Sequence, residues 1–180
     1  HNSLWQQLAD DRLMASIIVD GRHLPPALVK VICRAKEPSR LILISDLLAV
    51  AGLAPGRYYS MGMEIELCAN GFVRLVNTPY LAGSTVGLGQ AIGLMMRLGG
   101  VSFEQAVKMA SLNPARLLGE APLRGTLEVG ARADLTVFRK VGTEYRLVET
   151  LIGGCCAFRA EKSGITSGES DDPSTDLGLN

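Results

Sequence analysis

With 180 residues, 47% of them hydrophobic and 20% charged, the chain can bury one ordinary domain core, and its composition is globular and not disordered. Its 18 basic and 18 acidic side chains cancel, so no basic footprint points to a nucleic acid and no field favours an acidic membrane surface. No apolar run reaches the roughly 18 residues of a membrane span. Cys33, Cys68, Cys155 and Cys156 lack C-x-x-C spacing, so free thiols in a reducing cytosol are expected.

The chain begins at His1 inside an expected helix, Ser3 to Leu13, which suggests a piece of something longer. A short apolar run, Ala15 to Val19, closed by Asp20-Gly21, reads as a buried parallel strand. Pro25 and Pro26 suit the first turn of a helix that runs to about Lys36, with Leu28, Ile32 and Ala35 at helical spacing and Pro38 as a stop. Leu41 to Ser45 is a second apolar strand, again followed by a carboxylate, Asp46. Strand, polar end, helix, strand, polar end is the rhythm of a parallel β/α repeat, and the ends of such strands are where that architecture places chemistry.

From Gly56 to Tyr80 the pattern turns to β-rich alternation, with Ala69-Asn70-Gly71 as a hairpin turn, and an antiparallel excursion is expected. Gly83-Ser84-Thr85 then introduces a helix over 86–98, with Ser84 or Thr85 as its cap. Ser102 and Gln105 form a capping-box pattern for another helix, and Asn113-Pro114 opens a short third one ended at Gly119. Strands are expected around Leu135–Phe138, Tyr145–Ile152 and Cys155–Phe158. The polar, Gly/Ser/Asp-rich stretch 161–180 reads as a disordered tail.

Three stretches together resemble the N-acetylglucosamine-6-phosphate deacetylase family of the amidohydrolase superfamily. One is Ile18-Val19-Asp20-Gly21-Arg22-His23 paired with Leu43-Ile44-Ser45-Asp46. The second is Tyr80-Leu81-Ala82-Gly83-Ser84-Thr85. The third runs from Ala110-Ser111-Leu112-Asn113-Pro114-Ala115-Arg116-Leu117-Leu118-Gly119 through Gly125-Thr126-Leu127 and Gly130 to Ala133-Asp134-Leu135.

The resemblance implies an α/β fold: the C-terminal part of a TIM-like (β/α)8 barrel over 1–119, with the β excursion at 56–80, and a C-terminal β-sandwich segment over 120–160. It implies that Asp46 is the catalytic general base and acid, and that His23 contacts the sugar and polarises the amide carbonyl. Asp20, Gly21, Arg22 and His23, with Leu81, Ala82 and Gly83, match segments lining the sugar pocket. The reaction implied is metal-dependent release of acetate from N-acetylglucosamine 6-phosphate, with zinc the first choice of divalent metal. The partners implied are a small amino-sugar phosphate and a second copy of the chain, in the cytoplasm, with no nucleic acid or membrane.

This chemistry suits the residue types. A metal lowers the pKa of a nucleophilic water, a carboxylate beside it can move the proton, and an imidazole can serve the developing oxyanion. The family's metal ligands, a glutamate and two histidines, match nothing here. His1 and His23 are the only histidines, so no metal site is expected in this chain, and the chain alone is expected to be inactive. The sequence Asp46-Leu47-Leu48 also puts a bulkier residue where many relatives have alanine.

Read without the resemblance, His23 is a half-buried histidine satisfied by a carbonyl and Asp46 a turn or cap residue. Asp134 is a turn residue, Cys155-Cys156 packing, and Met95, Met96 and Met109 core filler. Two further readings differ in function: another amidohydrolase (dihydroorotase-, dipeptidase- or adenine-deaminase-like), or a non-catalytic barrel remnant acting as a binding domain.

Overall fold

A computed structural model describes residues 2–160. The chain divides into two units, His1–Ala110 and Ser111–Asn180. The expected tail, 161–180, lies outside the described residues.

The first unit opens with helix α1, Ser3–Ala9, capped by the Asn2 side chain, which accepts from Leu4 N at 3.1 Å. It stops short of the expected Leu13 because the Asp10 carboxylate accepts from Arg12 N at 3.0 Å, a local bond that competes with the helix. The buried Lys36 ammonium then takes the carbonyls of Asp10 and Leu13, at 2.8 and 2.9 Å.

Strand β1, Ala15–Ile18, leads through helix α2, Pro26–Ala35, to strand β2, Leu41–Ile44. α2 ends at Lys36 because the residue before Pro38 is held in the extended region. β1 and β2 pair in parallel, in register from Ala15↔Leu41 to Ile18↔Ile44, so their C-terminal ends share one edge. β2 is a short apolar run, as suits a parallel strand covered by helices, while β1 includes the exposed Ser16.

Helices α3, Leu88–Gly99, and α4, Phe103–Ala110, pack on β2, and α3 also packs on α2. Val19, Val29, Leu41, Leu43, Met95, Ala106 and Met109 are fully buried there. Gly99 permits the close α2–α3 approach, since a Cβ on it would lie 2.8 Å from Cys33 Sγ. The Ser102–Gln105 capping box forms as expected, with both reciprocal bonds present. α3 differs: Gly87 is its cap residue, while the Ser84 hydroxyl accepts from Val86 N and Thr85 donates to the Gly71 carbonyl.

The excursion is a three-stranded antiparallel sheet of β3 (Gly56–Ser60), β4 (Met63–Leu67) and β5 (Val73–Leu75). It has its own apolar cluster of Val50, Ile65, Leu67 and Val73, joined by Leu48, Tyr58, Leu75 and Ala82.

In the second unit, helix α5, Leu112–Leu117, precedes an antiparallel sheet of β6 (Leu135–Val141), β7 (Glu144–Ile152) and β8 (Cys155–Arg159). The division at Ala110/Ser111 groups α5 with the C-terminal sheet segment. Its contacts explain this: Glu120 N donates to Ala115 O, and a Cβ on Gly125 would lie 2.8 Å from Leu112 Cα. Asp134 is more than a turn residue, accepting from Gly153 N at 2.8 Å and pairing with Arg124 and Arg132. Cys155 and Cys156, expected as packing, are exposed.

Candidate active site

The register Ile18↔Ile44 puts Asp20 and Asp46 at equivalent positions, each two residues beyond the paired strands. The chain treats those two ends very differently.

After β1 the Asp20 side chain folds back on its own turn. Its Oδ1 accepts from Arg22 N and His23 N, both at 2.9 Å, and its Oδ2 meets His23 Nδ1 at 2.9 Å. Gly21, at φ +77°, supplies the left-handed backbone that this turn needs. Burial alone would raise the Asp20 carboxyl, but the bonds from the His23 backbone, the His23 ring and the Arg22 backbone outweigh it. The group is held below its ordinary 3.8. The carboxylate is therefore engaged internally, while the His23 ring stays partly open.

Arg22 also turns away from the strand end. Its guanidinium donates to the carbonyls of Gly71 and Asn70, the latter at 2.8 Å, and stacks on Phe72 at 4.3 Å from the ring centroid. A longer contact, 3.3 Å, reaches Thr85 Oγ1. These contacts strap the β4–β5 turn of the excursion to the turn after β1.

After β2, Asp46 adopts φ +50°, a left-handed backbone that non-glycine residues visit rarely and aspartate tolerates better than most. Its carbonyl accepts from Ser84 N at 2.8 Å, and Leu48 N donates to Ser84 O at 3.0 Å. The Asp46 side chain is exposed at the edge. A strained backbone over-determined by its neighbours, with a carboxylate projecting from a parallel strand end, is typical of functional positions.

Leu81, Ala82 and Gly83 extend the excursion sheet: Arg74 and Leu81 form an antiparallel bridge and Ala82 N donates to Val73 O at 3.0 Å. Ala82 packs into the excursion cluster, so strand alternation sends half-buried Leu81 to the other face. Gly83, at φ +73°, lies against Asp46 and Leu48. The bulk of Leu48 is absorbed by the excursion cluster, leaving Leu47 exposed at the edge.

Three links join Asp20, Arg22, His23 and Asp46 near the strand ends: Asp20 to His23, Arg22 to Thr85, and Ser84 to Asp46. Asn70, Gly71, Phe72 and Thr85 belong to this construction and are not among the expected site residues. The turn signal at Ala69-Asn70-Gly71 hints at the first three, and Thr85 ends the second family-like stretch. Among the described residues no three His, Cys, Asp or Glu side chains gather closely enough to hold a metal ion. No helix among them is long and apolar enough to cross a membrane.

An amidohydrolase family profile matches residues 79–154. The chain is 40% identical over 129 residues to an Escherichia coli protein named as a candidate N-acetylgalactosamine-6-phosphate deacetylase, covering 71% of this chain and 75% of that one. It is 33% identical over 150 residues to the N-acetylglucosamine-6-phosphate deacetylase of Rattus norvegicus, covering 83% of this chain and 35% of that protein. An aspartate-to-alanine mutant of the Mycobacterium smegmatis N-acetyl-D-glucosamine-6-phosphate deacetylase, solved in complex with N-acetyl-D-glucosamine-6-phosphate, superposes with a TM-score of 0.74 at 33% identity, over 83% of this chain and 39% of that one. The Thermotoga maritima enzyme gives 0.75 at 27% identity, over 86% and 41%. The chain belongs to the N-acetylglucosamine-6-phosphate deacetylase family of amidohydrolases. It spans little more than a third of the rat relative's length.

Proposed function

We propose that the intact protein hydrolyses the acetamide of N-acetylglucosamine 6-phosphate to acetate and glucosamine 6-phosphate, with Asp46 as general base and acid. The observation that carries this reading is Asp46 itself: an exposed carboxylate on a left-handed backbone at the end of a parallel strand, beside the edge bearing Asp20 and His23. A positioned carboxylate can take the proton of the attacking water and return it to the departing amine nitrogen as the C–N bond breaks. Gly83 packs against the Asp46 peptide and Ser84 N donates to its carbonyl, so the backbone that carries the carboxylate is held at the strand end.

Family members are generally metal-dependent. By the family resemblance a divalent ion, zinc first, would be held by a glutamate and two histidines that lie outside this chain. The same holds for most of the barrel. A lone parallel pair is an uncommon arrangement, since such sheets are normally covered on both faces. β1 moreover borders an open apolar cavity of about 640 Å³ lined by Leu8, Met14, Ile17, Leu28, Ile32 and Ile44, among others. We read β1-α2-β2 and the helices after it as the last units of a TIM-like barrel whose remaining strands close over that cavity. The β6–β8 sheet is read as part of a β-sandwich. A homodimer in the cytoplasm completes the proposal.

A second substrate has its own support: two Escherichia coli relatives, each 40% identical over 129 residues, are named for N-acetylgalactosamine 6-phosphate. The test is acetate release by the intact, metal-supplied protein from both sugar phosphates, wild type against Asp46→Asn. Turnover that falls by roughly 10²–10⁴-fold in the variant supports the reaction and the role of Asp46. No turnover of either sugar by a folded, metal-loaded wild type would overturn it.

A further inference from the structure

The family resemblance puts Asp20 among the residues lining the sugar pocket. Its side chain is only 3% exposed, and both of its oxygens are already bonded within residues 20–23. A carboxylate so engaged has little left to offer a sugar. We propose instead that Asp20 is a positioning residue that locks the His23 ring and fixes its tautomer, with the proton on Nδ1 and Nε2 left as the one nitrogen free to meet a ligand.

The argument rests on donor counting. Ionised aspartate is acceptor-only, so the 2.9 Å contact between Oδ2 and Nδ1 requires hydrogen on Nδ1. The three bonds it receives keep Asp20 ionised. Water cannot replace Oδ2 as the ring's partner, because the carboxylate is buried. Arg22, the nearest cation in sequence, does not compete for it, since its guanidinium is turned to Asn70, Gly71 and Phe72. In a histidine side chain free in water the neutral ring favours hydrogen on Nε2, so the turn reverses an ordinary preference.

The consequence for ligands rests on the deacetylase reading. A neutral His23 so fixed presents a lone pair, and can accept from a sugar hydroxyl or an amide N–H. It can donate to the acetamide carbonyl only when doubly protonated, with Asp20 then as its counter-charge. His23 is thus an orienting acceptor in one state and an electrophile in the other, and Asp20 supports both.

The test needs no turnover, so it stands or falls separately from the reaction. Intact protein labelled with 15N-histidine is studied without substrate, at a pH where the ring is neutral, with His23 assigned by comparison with His23→Gln. The ring nitrogens should show hydrogen on Nδ1 and none on Nε2. Asp20→Asn should move the proton to Nε2: the two backbone N–H groups claim the amide oxygen, leaving the amide NH2 to donate to Nδ1. A wild-type ring carrying its proton on Nε2, or mixed, overturns the proposal. So does a folded Asp20→Asn that keeps hydrogen on Nδ1. Should that variant fail to fold, the wild-type tautomer decides alone.

Discussion

Gly83 lies against the backbone of Asp46 so closely that a Cβ on it would stand 3.1 Å from the Asp46 carbonyl oxygen, and 2.7 Å from Leu48 Cγ. The left-handed backbone of Asp46 and the positive φ of Gly83 are thus parts of one construction, closed by the bond from Ser84 N to Asp46 O.

Gly83→Ala should therefore affect both stability and turnover. The left-handed backbone alone costs an L-residue about 1–2 kcal/mol, and the new methyl group must also displace Leu48 or the Asp46 peptide. If Asp46 has the proposed role, a shift of its carboxylate by about 1 Å can cost ~10²-fold in rate. Thermal melting and kcat measured on the same preparation check this. A variant with native Tm and native kcat would show that the contact is slack.

Asp46→Gly and Asp46→Ala should separate strain from chemistry. Both remove the carboxylate and should lose turnover. Only glycine relieves the left-handed backbone at φ +50°, so Asp46→Gly should be more stable than Asp46→Ala by about 1–2 kcal/mol. Denaturant unfolding of the two variants provides the comparison. Equal stabilities would mean that the chain relaxes out of the left-handed region once the aspartate is gone.

How far the sequence discloses this construction depends on the range of the forces involved. The strand Leu41–Ile44 is legible because four apolar residues lie between the stop at Pro38 and the carboxylate at Asp46. The Ser102–Gln105 box is legible because both partners sit within four residues. The cap of α3 is not, because Ser84 commits its hydroxyl to Val86 N and the chain needs three more residues before helical geometry begins at Leu88. The partners of Arg22 lie 48 to 63 residues away, so no local pattern can reveal that a residue in a pocket motif is a strap. Asp20 is an intermediate case: its spacing to His23 is visible, but its burial, which decides between contact and support, is tertiary.

Arg22→Leu should loosen the excursion. It removes the charged donor from two carbonyls and from Thr85, bonds of a kind worth about 1.5–3 kcal/mol, together with the stacking on Phe72. Hydrogen exchange over Cys68–Phe72 should accelerate. Arg22→Lys should rescue little, since a point ammonium cannot reproduce the planar fork across two carbonyls. Full rescue by lysine would assign the effect to charge alone.

Asp20 also sets an acid limit on the first unit. Its folded-state pKa lies below the ordinary 3.8, so the unfolded chain binds the proton more readily. The stabilisation is complete above the unfolded value and disappears as pH falls through the folded one. In wild-type protein, stability from this group should be level near neutrality and decline below about pH 4. Asp20→Asn lacks the titration, so it should be less stable at neutral pH and the gap from wild type should narrow on the acid side. The other carboxylates held low, at Asp10, Glu104 and Glu149, contribute little to this comparison, because their pairs are solvent-screened and unchanged in the variant. Chemical denaturation of both proteins from pH 7 to 3 provides the measurement. A gap that stays constant over that range would mean that the Asp20 bonds contribute equally in both protonation states, against the direction of its shift.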